Sequence, residues 1–128
     1  MSFYTILAIG SGGFLGAVAR AWLNGTISHH FPHTLPFGTL GVNLIGSFLI
    51  GMLFAYFAHS TLFGIHAKSF LTTGFLGALT TYSTFAMETV FLLSGGQIVM
   101  AAVNMALNLF GSVLMAGSGY YLLRHWLS

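Results

Sequence analysis

The chain has 128 residues, of which 56% are hydrophobic and 3% charged, and its mean hydropathy is +0.91. A soluble domain carries about 25% charged residues, so this composition excludes an ordinary soluble fold and points to a protein built for lipid. Three cations against one anion make no basic patch, which argues against nucleic acid as a partner, and the absence of cysteine excludes disulfide and thiol chemistry.

A membrane-spanning helix needs about 20 apolar residues. The length therefore accommodates four spans, over residues 3–23, 38–58, 69–93 and 97–123, in a single integral-membrane four-helix domain. The expected fold is an all-α membrane protein. Four helices make a bundle too small to enclose a conduction path alone, so association with a second copy is expected.

The first span, Phe3 to Leu23, has no Lys or Arg before it and no small-residue cleavage site after it, which sets it apart from a signal peptide. Gly12, Gly16 and Arg20 share one helical face, and the glycine pair permits close helix approach. Arg20, beside Trp22, either snorkels to the headgroups or stands at the mouth of an anion route. Asn24 to Phe37 reads as a loop with Gly25, Pro32 and Pro36 as breakers. Its His29, His30 and His33 lack the cysteine or carboxylate partners of a metal site and read as loop histidines.

In the second span Gly41, Gly46 and Gly51 surround a lone amide, Asn43. An amide in lipid must find partners. Asn43 either bonds another helix or points its two N–H donors at an anion.

The third span contains the most unusual stretch. Gly74 and Gly77 are followed by Thr80, Thr81, Tyr82, Ser83 and Thr84, then Phe85, then Glu88, the only acidic side chain in the sequence. Glycine and β-branched threonine weaken a helix interior, and hydroxyls compete for backbone groups. Irregular backbone at membrane depth survives only where protein covers it or where it lines a polar cavity. The expectation is a helix broken mid-membrane at a functional site.

The Ser94-Gly95-Gly96 turn leads into the fourth span, where Asn104, Asn108 and Ser112 recur every four residues. They draw a polar stripe down a helix whose other faces are Val, Met, Leu and Phe, and polar residues in a span usually face the bundle interior.

Four spans put both termini on one side of the membrane. That side holds Lys68 and Arg124, the other Arg20 alone, so the usual Lys/Arg bias of cytoplasmic loops is almost nil. Such a chain is expected to insert both ways up. Two opposite copies then pair as an antiparallel dual-topology homodimer, the two-chain equivalent of inverted repeats.

These residues together resemble the Fluc (CrcB-type) family of small bacterial fluoride channels over essentially the whole length. The resemblance rests on Gly12-Gly13-Phe14 with Gly16 and Arg20; on Gly38-Thr39-Leu40 with Val42-Asn43; on Thr73-Gly74-Phe75 with Gly77; and on Leu79 through Phe85 with Glu88. It implies a passive, fluoride-selective channel of the bacterial inner membrane, a dual-topology homodimer with two fluoride pathways that lowers cytoplasmic fluoride. It also implies a structural sodium ion, not transported, held at the dimer centre by backbone carbonyls matching Gly77 and Thr80. Phe85 matches the second of two family phenylalanines that aim ring edges at fluoride. Tyr82 stands where the first is usually Phe, keeping the electropositive edge and adding a hydroxyl. Asn43 matches the family's pore asparagine, Asn108 and Ser112 its fourth-helix polar track, and Ser83, Thr84 and Glu88 a polar group near one end of the path.

The alternative is a small dual-topology, proton-coupled exporter of cationic or drug-like compounds with Glu88 as shuttle. No nucleophile–base pair is evident, so an enzyme is not expected.

Overall fold

The computed structural model describes residues Met1–Ser128 and is entirely helical. Ser2 caps the first helix by accepting the Thr5 N–H at 3.1 Å, and α1 then runs over Phe3–His30. It continues well beyond Leu23, so most of the stretch expected as a loop is helix. Gly25 and Asn24 only lower helix propensity, by about 1 kcal/mol for a glycine, whereas Pro32 and Pro36 cannot be accommodated in a helix interior. The helix stops just ahead of them, with the Phe31 N–H on the Ile27 carbonyl at 2.8 Å. The real connection is residues 31–36. Helix α2 follows over Phe37–His59.

The third segment begins with α3 (Ile65–Ser69), passes through wider, π-type turns over Phe70–Leu76, and ends its first part as α4 (Gly77–Leu79). Here Thr72 Oγ1 donates to the Lys68 carbonyl at 2.7 Å, a side-chain bond that competes with the regular ladder. Thr80 (φ −86°, ψ 156°) and Thr81 (φ −147°, ψ 120°) are extended, as two adjacent β-branched residues favour. The chain re-enters a helix as α5, Tyr82–Ser94, with Thr81 Oγ1 capping it by accepting the Thr84 N–H at 3.2 Å. Gly96, the one residue with positive φ (78°), turns the chain, while the Gln97 N–H closes onto the Leu92 carbonyl at 2.8 Å. Helix α6 then spans Ile98–Leu127.

Four segments are long and apolar enough to cross a membrane: Phe3–His30, Phe37–His59, Ile65–Ser94 and Ile98–Leu127. Only 21 of 128 residues are buried, while Phe14, Trp22, Phe110, Val113 and Leu114 lie open. That much exposed apolar surface suits lipid and not water, and the chain is a multi-pass membrane protein.

Small residues set the packing. α2 and α6 lie together along their length, and the contact is reciprocal. A Cβ on Gly51 would collide with the Ala116 carbonyl, and one on Gly119 with the Phe48 carbonyl. α1 packs on the first part of the third segment in the same way, Gly12 and Gly16 facing the Phe70 and Phe75 carbonyls. In both places backbone meets backbone, the mode by which membrane helices associate without a hydrophobic driving force.

Gly51→Ala is therefore expected to destabilise the protein by about 1–3 kcal/mol, the range for forced overpacking. Gly25→Ala, where an added Cβ meets nothing, is expected to be neutral or slightly stabilising. Denaturant titration in detergent micelles, followed by tryptophan fluorescence, checks both. Equal stability for Gly51→Ala and the unsubstituted chain would refute the close-packed α2–α6 seam.

Candidate functional site

The two extended residues between α4 and α5 leave peptide groups without a helical partner, and the fold answers this with side chains. Asn43, 8% exposed on α2, lies beside Thr81 and treats its peptide as a strand partner would. The Thr81 N–H donates to Asn43 Oδ1 at 2.8 Å, and Asn43 Nδ2 donates to the Thr81 carbonyl at 3.1 Å. Asn43 Nδ2 also donates to Asn108 Oδ1 at 2.9 Å. Of the two roles the sequence left open for Asn43, the structure shows the interhelical one. Its donors are engaged by protein.

The network continues on α6. Asn108 Nδ2 donates to the Asn104 carbonyl at 2.9 Å and to Asn104 Oδ1 at 3.1 Å. Asn104, with no exposed surface, donates from Nδ2 to Thr89 Oγ1 on α5 at 3.0 Å, and Thr89 donates to the Phe85 carbonyl at 2.8 Å. Buried amides are thus satisfied, as they must be in a low-dielectric interior.

Above this network lies a groove of about 520 Å³ between α2, α6 and the α4–α5 junction. Asn43, Ser47, Gly77, Thr80, Thr81, Asn108 and Ser112 supply its polar surface. Tyr82 and Phe85 form an aromatic wall, their ring centroids 5.5 Å apart at 71°, edge to face. Gly46, Ile50, Leu76, Met105, Leu109 and Val113 complete it. No Lys, Arg or His lines it. Ser112 Oγ makes no hydrogen bond to protein, and Tyr82 is 82% exposed, so both hydroxyls are available as donors.

Most of the residues expected from sequence meet here: Asn43, Gly77, Thr80, Tyr82, Phe85, Asn108 and Ser112. Ser83, Thr84 and Glu88 follow along α5, outside the groove, and Arg20 is half-buried on α1, away from it. The Glu88 Oε1 and Thr39 Oγ1 atoms are buried without a hydrogen-bond partner. The threonine hydroxyl is within electrostatic reach of the carboxyl without completing a bond.

Thr81 and Asn104 were expected only as members of the third-span polar stretch and of the four-residue stripe, with no individual role, and Thr89 was not expected as a site residue. Thr89 had a signal, since it follows Thr81 and Phe85 at four-residue intervals.

The carbonyls of Gly77 and Thr80 fit a hard cation. In a continuous helix the Thr81 and Thr84 N–H groups would serve them, but these donate to Asn43 Oδ1 and Thr81 Oγ1. Freed carbonyl oxygens of this kind suit a cation that prefers oxygen ligands.

The family model described as "CrcB-like protein, Camphor Resistance (CrcB)" matches residues 7–120. A protein of Sulfurimonas denitrificans called fluoride-specific ion channel FluC is 64% identical over 124 residues, covering 97% of this chain and 96% of the relative. Proteins of the same name from Campylobacter fetus (47% over 125 residues, 97% of each) and Nautilia profundicola (45% over 120 residues, 94% of each) are also similar.

Asn43→Ala removes the partner of a buried peptide group. It is expected to destabilise the chain by about 1–3 kcal/mol, whereas Ser112→Ala, whose hydroxyl bonds no protein atom, should stay within about 0.5 kcal/mol. The same micelle titration measures both. Equal effects would contradict the asymmetry.

Proposed function

The chain belongs to the CrcB-like family, whose relatives are channels and not enzymes, and from that membership and the groove we propose that it is a passive, fluoride-selective ion channel. It exports fluoride across the bacterial inner membrane and lowers its concentration in the cytoplasm. The observation that carries this reading is the groove itself: hydroxyl donors and ring edges, free of Lys and Arg, within a membrane-spanning chain.

The physical problem is dehydration. An ionised group moved unpaired into a medium of low dielectric faces tens of kcal/mol of Born penalty. A small anion meets the same penalty, and O–H donors with the electropositive rims of aromatic rings replace its water. Such neutral ligands hold it loosely enough to leave, as conduction requires. In this reading Ser112 and Tyr82 offer hydroxyls, and Phe85 offers a ring edge. Asn43 and Asn108 offer amide protons only when the ion displaces a bond they already make. Ser83, Thr84 and Glu88 stand along one approach, and Arg20 attracts anions at a mouth of the route.

We read the working unit as an antiparallel, dual-topology homodimer, with the interruption at Thr80 and Thr81 at mid-membrane. Support comes from the near-even distribution of Lys and Arg and from the groove's open side, where most of the Tyr82 surface is exposed. One chain's Gly77 and Thr80 carbonyls are too few to surround a cation, and two copies double them. Sodium at that place would supply a fixed positive charge near the anion's path. It is structural and is not transported.

A second reading, proton-coupled export of cationic compounds, has one observation in its favour: the buried, unpartnered Glu88 Oε1. Glu88 lies outside the groove, so the one carboxylate does not line the proposed path.

In liposomes loaded with fluoride or chloride and reconstituted with pure protein, fluoride is expected to leave far faster than chloride. Equal rates, or none, would refute the channel. Phe85→Ile keeps bulk and removes the ring edge, and should lower fluoride efflux by about tenfold or more, the factor for 1.4 kcal/mol, while the protein elutes as the wild type does. Unchanged flux would dismiss the ring edge. Glu88→Gln separates the two readings, since it abolishes proton-coupled export and leaves passive fluoride flux.

A further inference from the structure

The hydrogen bonds beneath the groove form a circuit that begins and ends on the same turn of backbone. It leaves the Thr81 peptide for Asn43 on α2, crosses to Asn108 and Asn104 on α6, passes to Thr89 on α5 and returns to the Phe85 carbonyl. Thr81 and Phe85 flank the first turn of α5, the turn that carries Tyr82 and Phe85. Its position relative to α2 and α6 is therefore held at both ends by side chains from those helices.

The circuit also has a fixed sense. A backbone carbonyl accepts only, so the Phe85 carbonyl takes the Thr89 hydroxyl proton and leaves the Thr89 lone pairs facing Asn104. Asn104 must then turn its NH2 toward Thr89 and its Oδ1 toward Asn108. Asn108 turns its NH2 inward, to Oδ1 and to the Asn104 carbonyl, and its own Oδ1 outward to Asn43. At the far end the Thr81 N–H, which donates only, demands the Asn43 oxygen. Both ends thus agree on one orientation for every amide between them.

We propose that Asn104 and Thr89, which do not line the groove, are positioning residues of the ion path: through Asn108 they set which way the Asn43 and Asn108 amides face, and through Phe85 they hold the aromatic wall. This rests on the channel reading above. Replacing Thr89 frees Asn104 to turn, and replacing Asn104 removes the Oδ1 that Asn108 donates to, leaving the backbone carbonyl at position 104 as the one group that still orients the Asn108 NH2. Asn108 held at that single point is less firmly aimed at Asn43, and the clamp on Thr81 loosens.

Liposome efflux tests this, with the wild type separating the two levels of claim. Absent or unselective wild-type flux sinks the channel reading. With wild-type flux present, the variants judge the positioning role. Thr89→Val, matched in shape, and Asn104→Leu are each expected to lower fluoride efflux about tenfold, the factor that the loss of one buried hydrogen bond supports. Thr89→Ser restores the hydroxyl and should conduct within about twofold of wild type. The double variant should fall no further than the worse single one, because both act through one bond. Wild-type flux in Thr89→Val, or a Thr89→Ser as impaired as Thr89→Val, overturns the proposal. Should the variants fail to fold, the wild type in bilayers still decides. The Asn104 and Asn108 side-chain amide protons should exchange with deuterium at least about tenfold more slowly than those of exposed Gln97. Rapid exchange at Asn104 overturns the circuit.

Discussion

The structure depends on one pairing, that of the Asn43 carboxamide with the peptide of Thr81. Away from water, a peptide N–H and C=O that leave a helix have no solvent to turn to, and each unpaired group costs several kcal/mol in hydrocarbon. A primary amide carries one acceptor and two donors in the geometry of a peptide edge. Asn43 therefore lets Thr81 stay extended between α4 and α5 without an orphaned group. A hydroxyl at position 43 has one proton and could not donate to both the Thr81 carbonyl and Asn108 Oδ1 as Asn43 does.

The pairing makes demands on everything around it. Asn43 reaches Thr81 only because α2 approaches the third segment closely, and Gly46, one turn on, leaves room for the Thr80 methyl. Asn43 reaches Asn108 only because α2 and α6 touch backbone to backbone at Gly51 and Gly119. α1 has no part in the polar network. Its Gly12 and Gly16 press against the Phe70–Phe75 stretch and brace it from the other side. Glycines that weaken isolated helices thus set the distances on which the amide network depends.

This division explains what the sequence disclosed. Spans follow from composition, because an apolar run of sufficient length has few alternatives. Groove residues such as Asn43, Asn108 and Ser112 stand out because a polar side chain in an apolar span requires a reason. Boundaries were less legible. α1 passes through Asn24 and Gly25, which only lower propensity, and stops at the Pro32–Pro36 region, where a ring lacks the amide proton. Thr89 was missed although it shares the four-residue period of Thr81 and Phe85, since a lone threonine late in a helix resembles filler. The direction of Asn43's donors could not be read at all. It is settled by Thr81 and Asn108, which lie 38 and 65 residues away in sequence.

On the proposed reading, the engaged state of those donors bears on how a channel can be selective without a charged ligand. A groove with idle amide donors would offer the same welcome to any anion that fitted. Here the two donors of Asn43 already serve the Thr81 carbonyl and Asn108 Oδ1, so an ion gains the difference between its own hydrogen bond and the one it displaces. That difference grows with charge density, because hydrogen bonds to ionised acceptors are shorter and roughly twice as strong as neutral ones. A small, hard anion can win the exchange where a larger, softer one breaks even or loses. The displaced amide bond re-forms once the ion moves on, and that recovery favours release. The same hydrogen bonds that satisfy an interrupted helix then set a threshold for entry, which ties discrimination to stability through Asn43.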